Sequence, residues 1–165
     1  MDKTIFEQIK EKLHKVNTIA FLTGAGVSAE SGIPTFRDKG GMWSKFNPEE
    51  LASMEGFRRD PELVWRWYND RRVQIADKEP NDAHKVAARF QNKFQNVVII
   101  TQNIDGLHQK AGSKDVIELH GNIWEFQCLN EGTISSNFDL PLKEIPPYCK
   151  CGSMYRPNVV WFGEQ

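Results

Sequence analysis

The chain has 165 residues, and 21 basic against 22 acidic side chains leave a formal net charge of -1. That length suits one domain with a buried core, while a balance of both signs along the helices, with no basic stripe, argues against a direct nucleic-acid partner. No apolar run approaches the roughly 20 residues that span a bilayer, and Met1-Asp2-Lys3 leads into an amphipathic stretch rather than a signal peptide, so the chain reads as soluble and cytoplasmic.

Ile5, Phe6, Ile9, Leu13 and Val16 keep helical spacing ahead of the short β-rich run from Ile19 to Leu22. Directly behind that strand, Gly24-x-Gly26-x-x-Ala29 fits the pattern in which glycines allow a tight turn and bring backbone N–H groups close to a pyrophosphate. By itself the pattern is weak, and a strand-to-loop turn without a ligand is the favoured reading. Asp60-Pro61 reads as an N-cap and first helical residue, opening a helix through about Ala76. Asn81 caps the next helix, with Ala83, Val86, Ala87 and Phe90 expected inward. Val97 to Thr101 is an apolar strand of the kind buried between helix layers, and Val116 to Leu119 is a further β-rich run ending at His120-Gly121. From Cys128 to Cys151 the composition changes, and the segment reads as a small inserted module rather than sheet. The alternation of helices and apolar strands predicts an α/β fold with a doubly wound parallel sheet.

The helix after Pro61 carries a site argument of its own. At about 100° per residue, Val64, Trp67, Tyr68, Arg71 and Ile75 share one face, which sets a guanidinium within an apolar stripe. Such a cation needs an anionic partner, and its planar fork suits a carboxylate held by two hydrogen bonds. Tyr68, one turn away, offers a hydroxyl. Pattern alone favours a salt bridge to a local carboxylate, or a packed stem with a solvated head.

Four motifs in order change that balance. The glycine loop running to Pro34-Thr35-Phe36-Arg37, then Gln102-Asn103-Ile104-Asp105, His120-Gly121, and Arg156-Pro157-Asn158-Val159-Val160-Trp161-Phe162-Gly163-Glu164 together resemble the sirtuins, NAD-dependent protein lysine deacylases. The resemblance implies a Rossmann-like NAD-binding part over residues 1–126 with a helical insertion at about 36–80, a small zinc-ribbon-like module over 127–153, and a return to the first part over 154–165. It implies that NAD is a consumed cosubstrate contacted by Gly24, Ala25, Gly26, Ser28, Ala29, Phe36, Arg37, Gln102, Asn103 and Asp105, and that acyl-lysine peptides are the partners. His120 is then the catalytic base, a role suited to an imidazole, with Asn103 assisting. Val160, Trp161, Phe162 and Gly163 match the segment that pairs with substrate backbone and lines the acyl-lysine tunnel. Tyr68-x-x-Arg71 matches the class III pattern that holds the distal carboxylate of succinyl-, malonyl- or glutaryl-lysine, and Ala52 matches the small residue that leaves room for the longer chain.

Two departures accompany the resemblance. Sirtuins carry four cysteines in two close pairs around a structural zinc. Here Cys149-Lys150-Cys151 resembles one pair, whereas Cys128 has Glu131 where its partner belongs. Cys128, Cys149 and Cys151 are the expected ligands, with Glu131 or another donor fourth, and a degraded site that folds without metal is the equal alternative. Sirtuins also continue beyond the tunnel segment, so the second half of the dinucleotide fold is expected to be missing, with little turnover from the bare chain. A binding module with ADP-ribose or peptide affinity, and a protein ADP-ribosyltransferase, are the competing functions.

Overall fold

The computed structural model describes residues 3–13, 15–35 and 47–164. Phe36 and Arg37, expected at the reacting ribose and at phosphate, lie outside the described residues. In chain order the elements are α1 (Lys3–Leu13), β1 (Ile19–Thr23), α2 (Gly26–Ala29), α3 (Pro48–Leu51), α4 (Met54–Arg59), α5 (Pro61–Ala76), α6 (Asp82–Lys93), β2 (Val97–Thr101), α7 (Leu107–Lys110), β3 (Val116–Glu118), β4 (Gly121–Cys128), β5 (Ile134–Ser136) and β6 (Tyr155–Val159).

Strands β1, β2 and β3 form a parallel sheet in that order, with Ile19 opposite Val97 and Ile99 opposite Val116. Parallel neighbours need crossovers, and the long connection from β1 to β2 carries helices α2 to α6. A second, antiparallel sheet has the order β5-β4-β6. Strand β5 therefore lies inside the segment expected to lack sheet, and β4 runs across the expected boundary between residues 126 and 127. Backbone pairing with β4 forms β5 despite side chains that are all exposed, a placement without periodicity to betray it.

Helix α5 begins and ends where its punctuation predicts. Asp60 accepts a hydrogen bond from the Leu63 N–H at 2.9 Å, and Pro61 takes the first turn, where its missing N–H costs nothing. Its buried residues occupy two faces rather than one. Val64, Trp67 and Tyr68 form the expected stripe, and Trp65, Asn69 and Arg72 form a second at i, i+4, i+7. This double burial makes α5 the spine of the core, against Phe57, Ile123, Phe126, Leu142, Val159 and Trp161. Trp65 is fully buried, packs edge-on to Phe126 and donates its indole N–H to the Tyr155 carbonyl at 2.9 Å. Truncating it to alanine would remove that packing, a loss of about 3–5 kcal/mol.

Helix α6 turns a different face inward from the one expected. Ala83 and Val86 are exposed, while His84, Ala87 and Ala88 are buried and Phe90 is half-buried against Phe21. The reason is polar: His84 is held by Asn81 at the helix start, so an imidazole occupies the inward position that the apolar pattern gave to alanine and valine. On α1, Ile5, Phe6 and Ile9 share a face yet are about half exposed, and Leu22 on the edge strand β1 is 68% exposed. No described helix is long and apolar enough to cross a membrane.

Candidate functional site

A cleft of about 760 Å³ opens between the carboxyl end of the parallel sheet and the face of α5, the position where α/β folds gather ligands. Ala25, Gly26, Ala52, Tyr68, Arg71, Gln102, Asn103, His120, Val160, Trp161, Phe162 and Gly163 line it, joining six segments far apart in sequence. A smaller cavity of about 260 Å³ shares Ala25, Arg71, Asn103, Ile104 and Ile123 with it and adds Ser28 and Asp105. Gly24 and Ala29 line neither. Ile123, Gln74 and Lys78 also line these cavities and were not anticipated, because nothing in their spacing separates them from ordinary core or surface positions.

The glycine loop works by openness rather than by an unusual turn. Neither Gly24 nor Gly26 has a positive φ, and a side chain added at Gly26 would meet no heavy atom of the described residues within 4 Å. The missing Cβ thus leaves space at the cleft for a ligand to approach the backbone. Behind the loop, Ser28 is buried and donates to Asp105 at 2.7 Å while accepting from Asn103 at 3.0 Å. Asp105 also accepts from the Leu107 N–H through its other oxygen, so it both starts α7 and holds Ser28. Asn103 is fixed from its own side too, its N–H donating to the Thr101 hydroxyl at the end of β2.

Two buried histidines back this network. His84 lies 3.4 Å from the Ser28 hydroxyl, His108 lies 3.0 Å from the Thr23 hydroxyl, and their rings are 4.8 Å apart. Burial pushes both imidazoles below their usual pKa, and in His108 the neighbouring His84 adds to the shift while Asp105 opposes it. Burial thus keeps both rings neutral at neutral pH, and they support the network from behind.

His120 follows β3 and is half-buried at the cleft. Its Nδ1 lies 2.8 Å from the Gln102 carbonyl oxygen, which can only accept. The proton must therefore sit on Nδ1, and Nε2 is left as the basic nitrogen. The next residue secures this placement. Gly121 has φ +74°, and a Cβ there would fall 2.0 Å from the Asn158 carbonyl oxygen, so only glycine lets β4 turn away immediately after the histidine.

The opposite wall is built by α5 and the segment after β6. The Val160 N–H donates to the His120 carbonyl, and the Phe162 N–H donates to the Ala52 carbonyl, which pins 160–162 between two cleft residues. Arg156 locks the same segment: its guanidinium makes a fork with Glu164 at 2.6 and 2.9 Å, reaches the Val159 carbonyl, and lies 3.9 Å from the Trp161 ring centre. Those hydrogen bonds hold the Glu164 carboxyl below its usual pKa. Trp161 is buried and donates its indole N–H to the Tyr68 hydroxyl at 2.9 Å. Burial raises the Tyr68 pKa, so the phenol stays protonated and keeps a hydrogen of its own to donate.

Adjacent arginines on α5 divide into two roles. Arg71 is half-buried, lies over Trp67 and lines both cavities; burial lowers its pKa, with Asp70 opposing. Arg72 is fully buried between Trp124 and Phe126, and its Nη2 donates to the Asn137 carbonyl, the Asn137 side chain and the Asp139 carbonyl. Burial brings the Arg72 pKa down to about 10, still leaving it charged at neutral pH. Sequence reasoning passed over Arg72, whose hydrogen-bond partners lie 65 and 67 positions away.

Apart from the cleft, Cys128, Glu131, Cys149 and Cys151 bring one ligand atom each to within 4.8 Å of one another. Three sulfurs and a carboxylate oxygen gathered this closely are a donor set suited to a tetrahedral zinc site.

Comparison with known proteins agrees with this geometry. Residues 24–165 match the model of the Sir2 family. The chain is 58% identical over 147 residues to the NAD-dependent protein deacylase of Aquifex aeolicus, covering 88% of this chain and 62% of that relative. A solved Sir2 homologue mutant in complex with ADP-ribose is similar over the whole chain and 65% of its own, with a TM-score of 0.90 and 43% identity. A Sir2 mutant with a deacetylated p53 peptide and 3'-O-acetyl ADP-ribose aligns over 96% of this chain and 66% of its own, with a TM-score of 0.80 and 36% identity. The chain thus spans about two thirds of the lengths of these proteins.

Proposed function

The chain belongs to the Sir2 family, and from that membership and the lining of the cleft we propose that it takes part in NAD-dependent removal of acyl groups from protein lysines, with acidic acyl groups preferred over acetyl. The observation that carries the reading is that Tyr68 and Arg71 stand in one cleft with Asn103 and His120. A cation and a protonated phenol suit a carboxylate, and the amide and imidazole stand ready for chemistry at its neighbour. When bound, NAD would supply an anomeric carbon open to attack by the acyl carbonyl oxygen as nicotinamide leaves, and a water molecule would complete the exchange, giving nicotinamide, O-acyl-ADP-ribose and free lysine.

In this scheme the chain's residues bind, orient and move a proton. Ala25 and Gly26 offer backbone beside the open space at the loop, while Ser28, Asn103 and Asp105 form a hydrogen-bonded wall for the nicotinamide and its ribose. His120 takes a ribose hydroxyl proton on Nε2, its Nδ1–H staying on Gln102. Tyr68 and Arg71 receive the distal carboxylate, and Ala52 leaves room for the chain that bears it. Val160 and Phe162, exposed on a segment pinned by its neighbours, are the docking edge for substrate backbone. Cys128, Cys149 and Cys151 are suited to a structural zinc that ties the turn after β4 to the turn before β6. Residues 127–153 would then be a metal-held module on the NAD-binding part.

A mass-spectrometric time course with NAD and matched acetyl- and succinyl-lysine peptides tests the proposal. NAD-dependent succinyl loss, accompanied by nicotinamide and O-succinyl-ADP-ribose, is expected to outpace acetyl loss. Acyl loss without NAD, or succinyl peptides left intact while acetyl peptides turn over, would overturn it.

A further inference from the structure

We propose that Glu131 is the fourth zinc ligand, making a three-thiolate, one-carboxylate centre from which the metal exchanges more readily than from four thiolates. The inference rests on the zinc reading above and not on the acyl specificity; none of the four residues lines the cleft.

Two turns build the cluster. After β4, Cys128-Leu129-Asn130-Glu131-Gly132 folds back with the Gly132 N–H on the Cys128 carbonyl at 2.9 Å. The Glu131 N–H points at the Cys128 sulfur, 3.4 Å away. Before β6, the Gly152 N–H closes a matching turn onto the Cys149 carbonyl, and the Cys149 N–H donates to the Ser153 carbonyl at 2.7 Å. A hydrogen bond from the Leu129 N–H to the Met154 carbonyl joins the two turns, so the ligands face one another. Cys128 and Cys151 sulfurs are 3.5 Å apart, and the Cys149 sulfur is 3.8 Å from a Glu131 carboxylate oxygen. Zinc–sulfur bonds near 2.3 Å and zinc–oxygen bonds near 2.1 Å in a tetrahedron imply sulfur–sulfur edges of about 3.8 Å and sulfur–oxygen edges of about 3.6 Å, and these two separations lie within a few tenths of an ångström of them.

Glu131 is also positioned as a ligand would be. The same oxygen that faces Cys149 lies within 3.4 Å of the Thr133 hydroxyl, an outer partner of the kind that orients metal-bound carboxylates. Its backbone N–H meanwhile supports the Cys128 sulfur, so one residue supplies both a ligand atom and a second-shell donor. A carboxylate is a harder donor than a thiolate and binds zinc less strongly. Glu131 and Cys151 are exposed and Cys149 is half-buried, so competing chelators can reach three of the four ligands, whereas Cys128 is buried as the anchor.

The test uses the intact chain with zinc, with cobalt(II) as a spectroscopic probe, and with a chromophoric chelator in competition. Wild type is expected to hold one zinc per chain, with a cobalt spectrum of three thiolates and one oxygen donor. Glu131→Ala should weaken zinc by more than the roughly 10–100-fold that follows loss of an outer-shell partner. Glu131→Cys should tighten binding and slow chelator-driven release, with cobalt bands shifted to longer wavelength. Equal affinity and an unchanged cobalt spectrum in Glu131→Ala would overturn the ligand assignment alone. No stoichiometric zinc in folded wild type would overturn it together with the zinc reading.

Discussion

Replacing each of the two adjacent arginines of α5 by methionine separates their roles, because methionine keeps much of the packed stem and deletes the charge. For Arg72 the loss falls on a fully buried guanidinium whose Nη2 bonds the Asn137 carbonyl, the Asn137 side chain and the Asp139 carbonyl. Hydrogen bonds from a charged donor contribute about 1.5–3 kcal/mol, and two ring faces add about 0.5–2 kcal/mol. Against this, Nε and Nη1 are buried with no hydrogen-bond partner among the described residues, and deleting them recovers about 1–3 kcal/mol of desolvation. The Asn137 side-chain oxygen keeps a second donor, the Asp139 N–H at 3.0 Å, which limits the damage. The net is a destabilisation of about 2 kcal/mol, or roughly 4–8 °C in Tm for a chain of this size. Arg71→Met, at a half-buried cavity wall, should cost about 0.5 kcal/mol or less. Urea unfolding followed by tryptophan fluorescence reads both. If Arg71→Met destabilises as much as Arg72→Met, Arg71 is a structural arginine and its assignment to substrate fails.

The buried histidines give a pH prediction. Their folded pKa values are lowered by burial, so on acidification the unfolded chain takes up protons first and stability falls as pH drops below about 6.5. Urea midpoints should therefore decline between about pH 7 and pH 5.5, and the His84→Gln/His108→Gln double variant should flatten that slope; an unchanged slope would mean the rings do not carry it. Gly26→Val adds a side chain to open space at the loop, and calorimetry should find ADP-ribose binding weakened at least about 10-fold with Tm nearly unchanged, since about 1.4 kcal/mol of lost contact suffices. Gly121→Ala meets both a left-handed backbone and a carbonyl 2.0 Å from the new Cβ, so thermal melts should show a loss of about 3 kcal/mol or more. His120→Tyr should abolish NAD-dependent acyl removal with a native circular-dichroism spectrum; wild-type turnover would remove the imidazole from the mechanism.

What sequence made legible was local. The start of α5 could be read from Asp60 and Pro61 because the cap and the proline act within one turn. Residues of the glycine loop, the Asn103 turn, His120 and the 160–163 segment were named in advance, and all but Gly24 and Ala29 among the described ones line the two cavities. Long-range partnerships were not legible. Arg72 carries no mark separating it from Arg71, because Trp124, Phe126 and Asn137 arrive from the other sheet. Strand β5 is created by pairing with β4 and not by a pattern of its own, and α6 buries an imidazole that Asn81 makes acceptable. The apolar stripe of α1 read correctly as a helix, but amphipathicity does not say what covers the face.

The central claim is tested most directly by kcat/KM for NAD-dependent release of succinyl and acetyl from matched lysine peptides, measured side by side on wild type and Arg71→Met. The account predicts that wild type prefers succinyl. The substitution should lower succinyl turnover by roughly 10–100-fold, the worth of charge-assisted hydrogen bonds to a carboxylate, and leave acetyl turnover within about threefold. Equal losses on both peptides, or a wild-type preference for acetyl, would contradict it.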